Sequence, residues 1–416
     1  MNVLLSFLGR GKLLPGQAAG RPQYEKAAYR FQNGREYQTS FFGLALWKHL
    51  AETGRRPHRW VILGTPGSIW GALGECLDSN AYEQCLDWID RLEKQSAANA
   101  TTDADILARP NALAEGLGLA PKALSLRLIP EGATTHDQAR FANVLAEELA
   151  SEDRVSLDLT HGFRHLPVIA AFTLSALQWL RNVRLEGFYY GALEMAPRDQ
   201  PKPVIEIPVC AQLAHIAAAS ATFRLTGSYR ELAEQRGPAE RPLLDSADFF
   251  ESLNRLDLAA GPARNALAQL NAETGAQLLS TPVADELKTA FDWVAGNRSP
   301  ALRMMDKSEL YFQRGEYMKC VTLALEAVIL HAASRMGCPL QPGKYDETTR
   351  KAAWKWVQDN LSNRFIFNDL HALRNAIAHG TAPSYPSVRV AMQKRESLER
   401  LLEECLTAAR AFVEDK

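Results

Sequence analysis

Short apolar runs alternate with helical stretches over the first half of the chain. Val3–Leu8, Trp60–Leu63, Leu124–Ile129, Val155–Leu159, Leu185–Tyr190 and Val204–Ile207 are short and rich in Val, Ile, Leu and aromatics, as strands are. Between them, Phe41–Glu52, Ser68–Glu93 (with a break near Ser79-Asn80), Asp137–Ala150 and Leu166–Leu180 read as helices. Strand and helix in alternation predict an α/β unit whose mostly parallel sheet is covered on both faces. Tyr29–Thr39 predicts an inserted hairpin. Its Asn33-Gly34 pair tolerates the positive φ of a type I′ turn, and Tyr29, Phe31 and Tyr37 flank it.

After about Pro208 the strand signals stop. From Ala211 to Lys416 apolar residues recur at helical spacing, with Ala and Leu abundant. Ser299-Pro300 predicts an N-cap followed by Pro at the first helical position. Gly337 and Pro339 predict the end of the helix before them. Gly227–Pro242, polar and holding two prolines, predicts a loop. At roughly 100–200 residues per domain, 416 residues make two or three domains. The expected division is an α/β domain at 1–207, a helical linker region at 208–298 and an all-α domain at 299–416.

Charge narrows the function. Lys and Arg total 47 against 48 Asp and Glu, so no global field draws the chain onto nucleic acid. Any RNA contact is therefore local, and no stable DNA binding is expected. Six cysteines (Cys76, Cys85, Cys210, Cys320, Cys338 and Cys405) form no C-x-x-C pair and no zinc spacing, which fits a reducing cytosol. Met1–Gly9 lacks the basic start of a signal peptide. Leu166–Leu180, apolar over 15 residues but interrupted by Pro167, Thr173, Ser175 and Gln178, is shorter than the roughly 20 a membrane span needs. A cytoplasmic protein without a membrane partner is expected.

The most informative stretch is Phe365–Gly380. Ile366, Leu370, Leu373 and Ile377 form one apolar helical stripe; Arg374 falls at its border and His379 nearly opposite it. Gly380 predicts a C′ cap, and Pro383 prevents continuation. His379 then sits in the last turn, where the helix dipole favours positive charge. An imidazole, an always-charged guanidinium and an amide suit metal-free RNA cleavage by the 2′-hydroxyl. His379 would move the proton, Arg374 would clamp the phosphate, and Asn375 would orient them. Arg374 and His379 are about 140° apart around the helix, so a site combining them is best composed from two copies across a two-fold axis. Arg374-Asn375-Ala376-Ile377-Ala378-His379 resembles the R-N-x-x-x-H pattern of the HEPN ribonucleases, in a helical domain as that family requires.

The N-terminal half carries a second constellation. Val155–Leu159 leads into Thr160-His161-Gly162-Phe163-Arg164 and then a helix, and ligands bind parallel sheets at such strand ends. Thr160, His161, the Gly162 amide and Arg164 offer donors for phosphate or adenine. The loops Gly9-Arg10-Gly11-Lys12 and Gly64-Thr65-Pro66-Gly67-Ser68 are similarly placed. A P-loop would need Gly at Ser6 and Ser or Thr at Leu13, and a G-x-G-x-x-G would need Gly at Leu14. Asp158, His161 and His165 are metal-ligand types, but no further His or Cys lies nearby and no metal site is assigned.

Asp158-Leu159-Thr160-His161-Gly162 resembles the D-x-T-H-G signature of a CRISPR-associated family whose N-terminal part is a Rossmann-like CARF sensor. Leu5–Gly9, the Tyr-rich hairpin and Thr39-Ser40-Phe41-Phe42 are similar to that family as well. The resemblance implies a homodimeric accessory ribonuclease of type III CRISPR systems, switched on by a cyclic oligoadenylate and cutting single-stranded RNA without a cofactor. It implies Gly9, Arg10, Thr39, Thr65, Ser68, Thr160, His161, Gly162 and Arg164 as messenger-binding residues. A ring shared by two subunits holds an even number of adenylates, so cyclic tetra-adenylate is the first expectation and hexa-adenylate the second. Competing readings are a sensor whose helical half only dimerises or binds a partner, a CARF domain that degrades its messenger, and a dinucleotide-dependent Rossmann-like enzyme.

Overall fold

The computed structural model describes residues 1–11, 24–109, 111–272, 278–338, 346–361 and 364–415. Lys12 and Pro339 lie outside them. The chain divides into two compact units, Met1–Ala214 and His215–Lys416.

The first unit is built on eight strands: β1 (Asn2–Leu8), β2 (Ala27–Arg30), β3 (Glu36–Thr39), β4 (Arg59–Gly64), β5 (Leu124–Leu128), β6 (Arg154–Asp158), β7 (Arg184–Gly191) and β8 (Lys202–Glu206). They form one sheet in the order β3-β2-β8-β7-β6-β1-β4-β5. β2 with β3 and β7 with β8 are antiparallel, and the other pairs are parallel. Alternation along each strand sorts the side chains. Val3, Leu5, Phe7, Val61 and Leu63 meet Phe141, Leu145, Leu166 and Leu174 of helices Thr135–Glu148 and His165–Arg181. Leu4, Leu8, Trp60 and Ile62 meet Phe42 and Leu46 of helix Phe42–Glu52 on the other face. Each such fully buried side chain contributes about 1.5–3 kcal/mol. Trp60 stacks between Phe41 and Trp47, and its indole N–H donates to Ser6 Oγ at 3.0 Å, which satisfies the buried donor.

This α/β architecture follows the alternation in the sequence. Two local readings change. The hairpin turn is not type I′: Gly34 has φ +82°, Asn33 has no positive φ, and Gly34 N–H donates to the Phe31 carbonyl while Phe31 N–H donates to that of Arg35. That is a type I turn closed by a glycine bulge, which Gln32-Asn33-Gly34 satisfies with one left-handed residue instead of two. The Ser68–Glu93 helix is three pieces, a 3₁₀ turn at Trp70–Cys76 and helices Ser79–Gln84 and Leu86–Ala97. Asp78 caps the second by accepting from Ala81 N–H at 2.8 Å.

Strand order reverses at β1. β4 and β5 lie to one side of it and β6 and β7 to the other, which makes the crevice between β1 and β6 a switch point.

The second unit is helical, with one apolar core that residues 216–294 share with residues 301–413. Helix Tyr317–Arg335 is long and apolar enough to cross a membrane by length and composition, and its residues from Cys320 to Ala333 form the centre of that core. Helices Pro300–Gln313, Glu347–Asn360, Arg364–His379 and Arg395–Glu414 surround it. Ser299 caps the first, its Oγ accepting from Leu302 N–H at 3.2 Å with Pro300 at the first position. Gly337, at φ +74°, follows the central helix. Lys307 pairs with Glu251 at 2.6 Å inside the unit, and Tyr229 Oη donates to the same carboxylate at 3.1 Å. Gly227–Pro242 is not a free loop. It holds a helical turn at Arg230–Ala233, because Tyr229, Leu232 and Ala233 recur at helical spacing and are fully buried.

Candidate functional site

The ends of β1, β4, β6 and β7 open into a cavity of about 1040 Å³. Gly9–Gly11, Thr65, Ser68, Leu159–Arg164 and Tyr190–Gly191 line it, so the sequence-predicted loops converge at the switch point. Residues from Leu193 to Lys202 complete the wall.

Each residue of the D-x-T-H-G stretch is held by the fold. Asp158 is fully buried and accepts from Thr160 N–H at 2.8 Å; burial raises its carboxyl to about 7. Thr160 Oγ1 accepts from Gly191 N–H at 2.8 Å, tying the loop to the end of β7. His161 is 7% exposed and stacks on Tyr24 at 4.1 Å, and its Nε2 accepts from Phe42 N–H at 3.3 Å. It thereby caps the first turn of helix Phe42–Glu52, and burial drives its imidazole down to about 3. Gly162 has φ +93°, and a Cβ there would lie 3.2 Å from that of Phe7. A Cβ on Gly9 would lie 2.7 Å from the Gly162 nitrogen, so the two loops meet backbone to backbone.

Thr65 and Ser68 line the cavity, but their polar atoms hold the loop. Ser68 Oγ donates to the Leu8 carbonyl at 2.7 Å and accepts from Thr65 N–H at 2.8 Å. Arg10 is bonded to Glu131 and to Asn99 and lies over the Phe163 ring at 5.3 Å. Arg164 is exposed and has no partner among the described residues. Thr39 is not brought into this group. Its hydroxyl is bonded to Glu75 and to the Phe41 carbonyl at the end of β3, away from the cavity wall. Sequence reasoning passed over Tyr24, Tyr190, Arg198 and Lys202, which line the cavity without belonging to a motif.

In the second unit, Arg374, Asn375 and His379 occupy the last two turns of Arg364–His379. Leu370 and Leu373 are fully buried, with Ile366 and Ile377 packed against the core, as the stripe predicts. The helix ends in a Schellman cap: Gly380 has φ +61°, and Thr381 N–H donates to the Ala376 carbonyl at 3.2 Å. His379 is exposed in the final turn. Arg374 is half-buried and donates from Nη1 to Asn375 Oδ1 at 3.0 Å. The Asn375 amide nitrogen lies 3.4 Å from His371 Nε2, and His371 stacks on Trp354 at 5.0 Å. Burial, then Arg350 and Arg374, lower the His371 pKa. Sequence reasoning missed His371, although its i, i+4 spacing to Asn375 puts both on one helix edge. No cluster of metal-ligating side chains occurs among the described residues. Asp158, His161 and His165 are separately engaged, His165 Nε2 lying 2.8 Å from the Glu131 carbonyl.

Residues 3–194 match the family described as CRISPR system endoribonuclease Csx1, CARF domain. A CRISPR-associated protein of Methanocaldococcus jannaschii is 25% identical over 219 residues, covering 50% of this chain and 34% of that protein. The match thus spans about a third of that relative's length. The solved structure of Enterococcus italicus Csm6 bound to cyclic hexa-2′-fluoro-hexa-dAMP aligns over 99% of this chain and 93% of its own, at 12% identity and a TM-score of 0.39. The family match covers β1 to β7 and the loops at the switch point, so over residues 3–194 the first unit is similar to the CARF domain of that CRISPR-associated family.

Proposed function

We propose that this protein is a cytoplasmic, homodimeric endoribonuclease of type III CRISPR defence. A cyclic oligoadenylate bound at the CARF cavity, tetra-adenylate first and hexa-adenylate second, switches it on. The observation that carries the nuclease reading is the exposed His379, with Arg374 and Asn375 bonded to each other one turn before it, on a helix end fixed by a glycine cap.

In the reaction, the RNA 2′-oxygen bonds to the adjacent phosphorus and the 5′-oxygen bond breaks, leaving a 2′,3′-cyclic phosphate and a 5′-hydroxyl. His379 takes the 2′-proton or returns one to the leaving 5′-oxygen. Arg374, aligned by Asn375, stabilises the charge gathering on the phosphorane. Two copies across a two-fold axis supply an acid and a base. No step requires a metal, because the nucleophile belongs to the substrate.

The test is a labelled single-stranded RNA incubated with the protein and each cyclic oligoadenylate. Ring-dependent cutting that Arg374→Ala and His379→Ala each abolish is expected. Cutting within tenfold of wild type in both variants, or none with any ring, overturns the assignment.

A further inference from the structure

The cavity wall holds a cation that no motif names. Lys202, the first residue of β8, is 4% exposed. Its ammonium donates to the carbonyls of Ala196 at 2.8 Å and Pro197 at 2.5 Å. An ammonium has three hydrogens, and two carbonyls leave one for the cavity. No carboxylate lies within 4.0 Å of it among the described residues. The neighbouring cations differ: Arg10 is bonded to Glu131 and Arg198 lies 3.6 Å from Glu25, both on exposed side chains. A buried charge without a counter-charge is costly unless something else supplies it.

We infer that Lys202 is a phosphate-binding residue of the cavity, its free N–H and uncompensated charge reserved for a phosphodiester oxygen of the ligand. The inference rests on the reading of the cavity as a cyclic-oligoadenylate sensor. It gives that site a polarity: a bridging phosphate is directed to the wall between β7 and β8, beside Tyr190. A lysine kept only to pin the Ala196-Pro197 turn would also make the two carbonyl bonds. The two roles make opposite demands on the variants.

The test uses the full chain and cyclic tetra- and hexa-adenylate, with binding by calorimetry and melting temperature without ligand. Lys202→Met removes charge and donors. Lys202→Gln keeps a neutral donor for the carbonyls. Both are expected to bind the preferred ring roughly ten- to a hundredfold more weakly, the range for one lost charged hydrogen bond, with a shallower salt dependence. Both are expected to melt at or above the wild-type temperature without ligand, since an unpaired buried charge has been removed. Ring binding by Lys202→Gln within threefold of wild type overturns the inference. A binding loss found only in variants whose unliganded melting temperature has fallen by more than about 5 °C overturns it too, because Lys202 then holds the turn. Wild-type protein that binds neither ring sinks the sensor reading and this inference with it, which sets that failure apart from a failure of Lys202 alone.

Discussion

Acid should unfold the first unit through two buried histidines while a buried aspartate opposes them. His161 and His49 are 7% and 6% exposed, with pKa values lowered by burial to about 3 and about 4. The unfolded value is about 6.5. The folded state therefore binds fewer protons than the unfolded one below pH 6.5, and stability falls as pH drops toward these values. Taking the ratio of binding polynomials, each histidine costs the folded state about 2 kcal/mol between pH 7 and pH 5. Asp158 has the opposite sign. Its folded value of about 7 lies above the unfolded one, so the folded state keeps a proton that the unfolded state releases, and stability rises as pH falls from 7 toward 4. Over the same window Asp158 contributes about 2 kcal/mol in the stabilising direction. Asp158→Asn removes that compensation and His161→Gln removes one of the losses; all other groups cancel in the comparison with wild type. A unit of this size loses about 2–4 °C per kcal/mol. Between pH 7 and pH 5, Asp158→Asn is expected to lose roughly 4–8 °C more than wild type, and His161→Gln about as much less. Scanning calorimetry at the two pH values reads both differences. Parallel pH dependence in the three proteins would show that neither group is held in the protonation state argued from its burial.

Gly162→Ala should destabilise the first unit by about 1–3 kcal/mol, since φ +93° and the Phe7 contact both oppose a Cβ; a denaturant midpoint within error of wild type would refute this. Arg164→Ala should weaken ring binding without lowering the unliganded melting temperature, whereas Thr160→Ala and His161→Ala should lower both, because they release Gly191 and Phe42. Normal ring binding by calorimetry in Arg164→Ala removes that residue from the sensor. RNA cutting should survive EDTA and yield 2′,3′-cyclic phosphate ends, so activity lost to chelator and restored by magnesium contradicts 2′-hydroxyl attack. Light scattering should find the active form dimeric, and a fully active monomer would exclude a site shared between copies.

The sheet was legible because burial on both faces leaves short runs rich in Val, Ile and Leu, as in β1 and β4, whose ends differ from the sequence boundaries by at most one residue. The 3.6-residue periodicity of Arg364–His379 was equally plain, and the Gly380 cap followed from it. Legibility failed where a long-range partner decides. Asn33-Gly34 is compatible with two turn types, and only the pairing of Phe31 with Arg35 selects between them. Thr39 was grouped with the cavity by its place beside Ser40-Phe41-Phe42, yet Glu75, 36 residues on, engages its hydroxyl. The same cause hides Lys202. In Lys202-Pro203-Val204 it reads as a solvated lysine before a strand, and nothing local reports that the chain folds the Ala196 and Pro197 carbonyls over it. Conversely, His161 and Thr160 were legible as important from their motif, but the motif did not disclose that His161 Nε2 accepts from Phe42 N–H and Thr160 Oγ1 from Gly191 N–H. Both side chains are neutral, so the only cation this loop offers a ligand is Arg164. The charge that an anionic ring needs must then come from outside the motif, and that is where Lys202 stands.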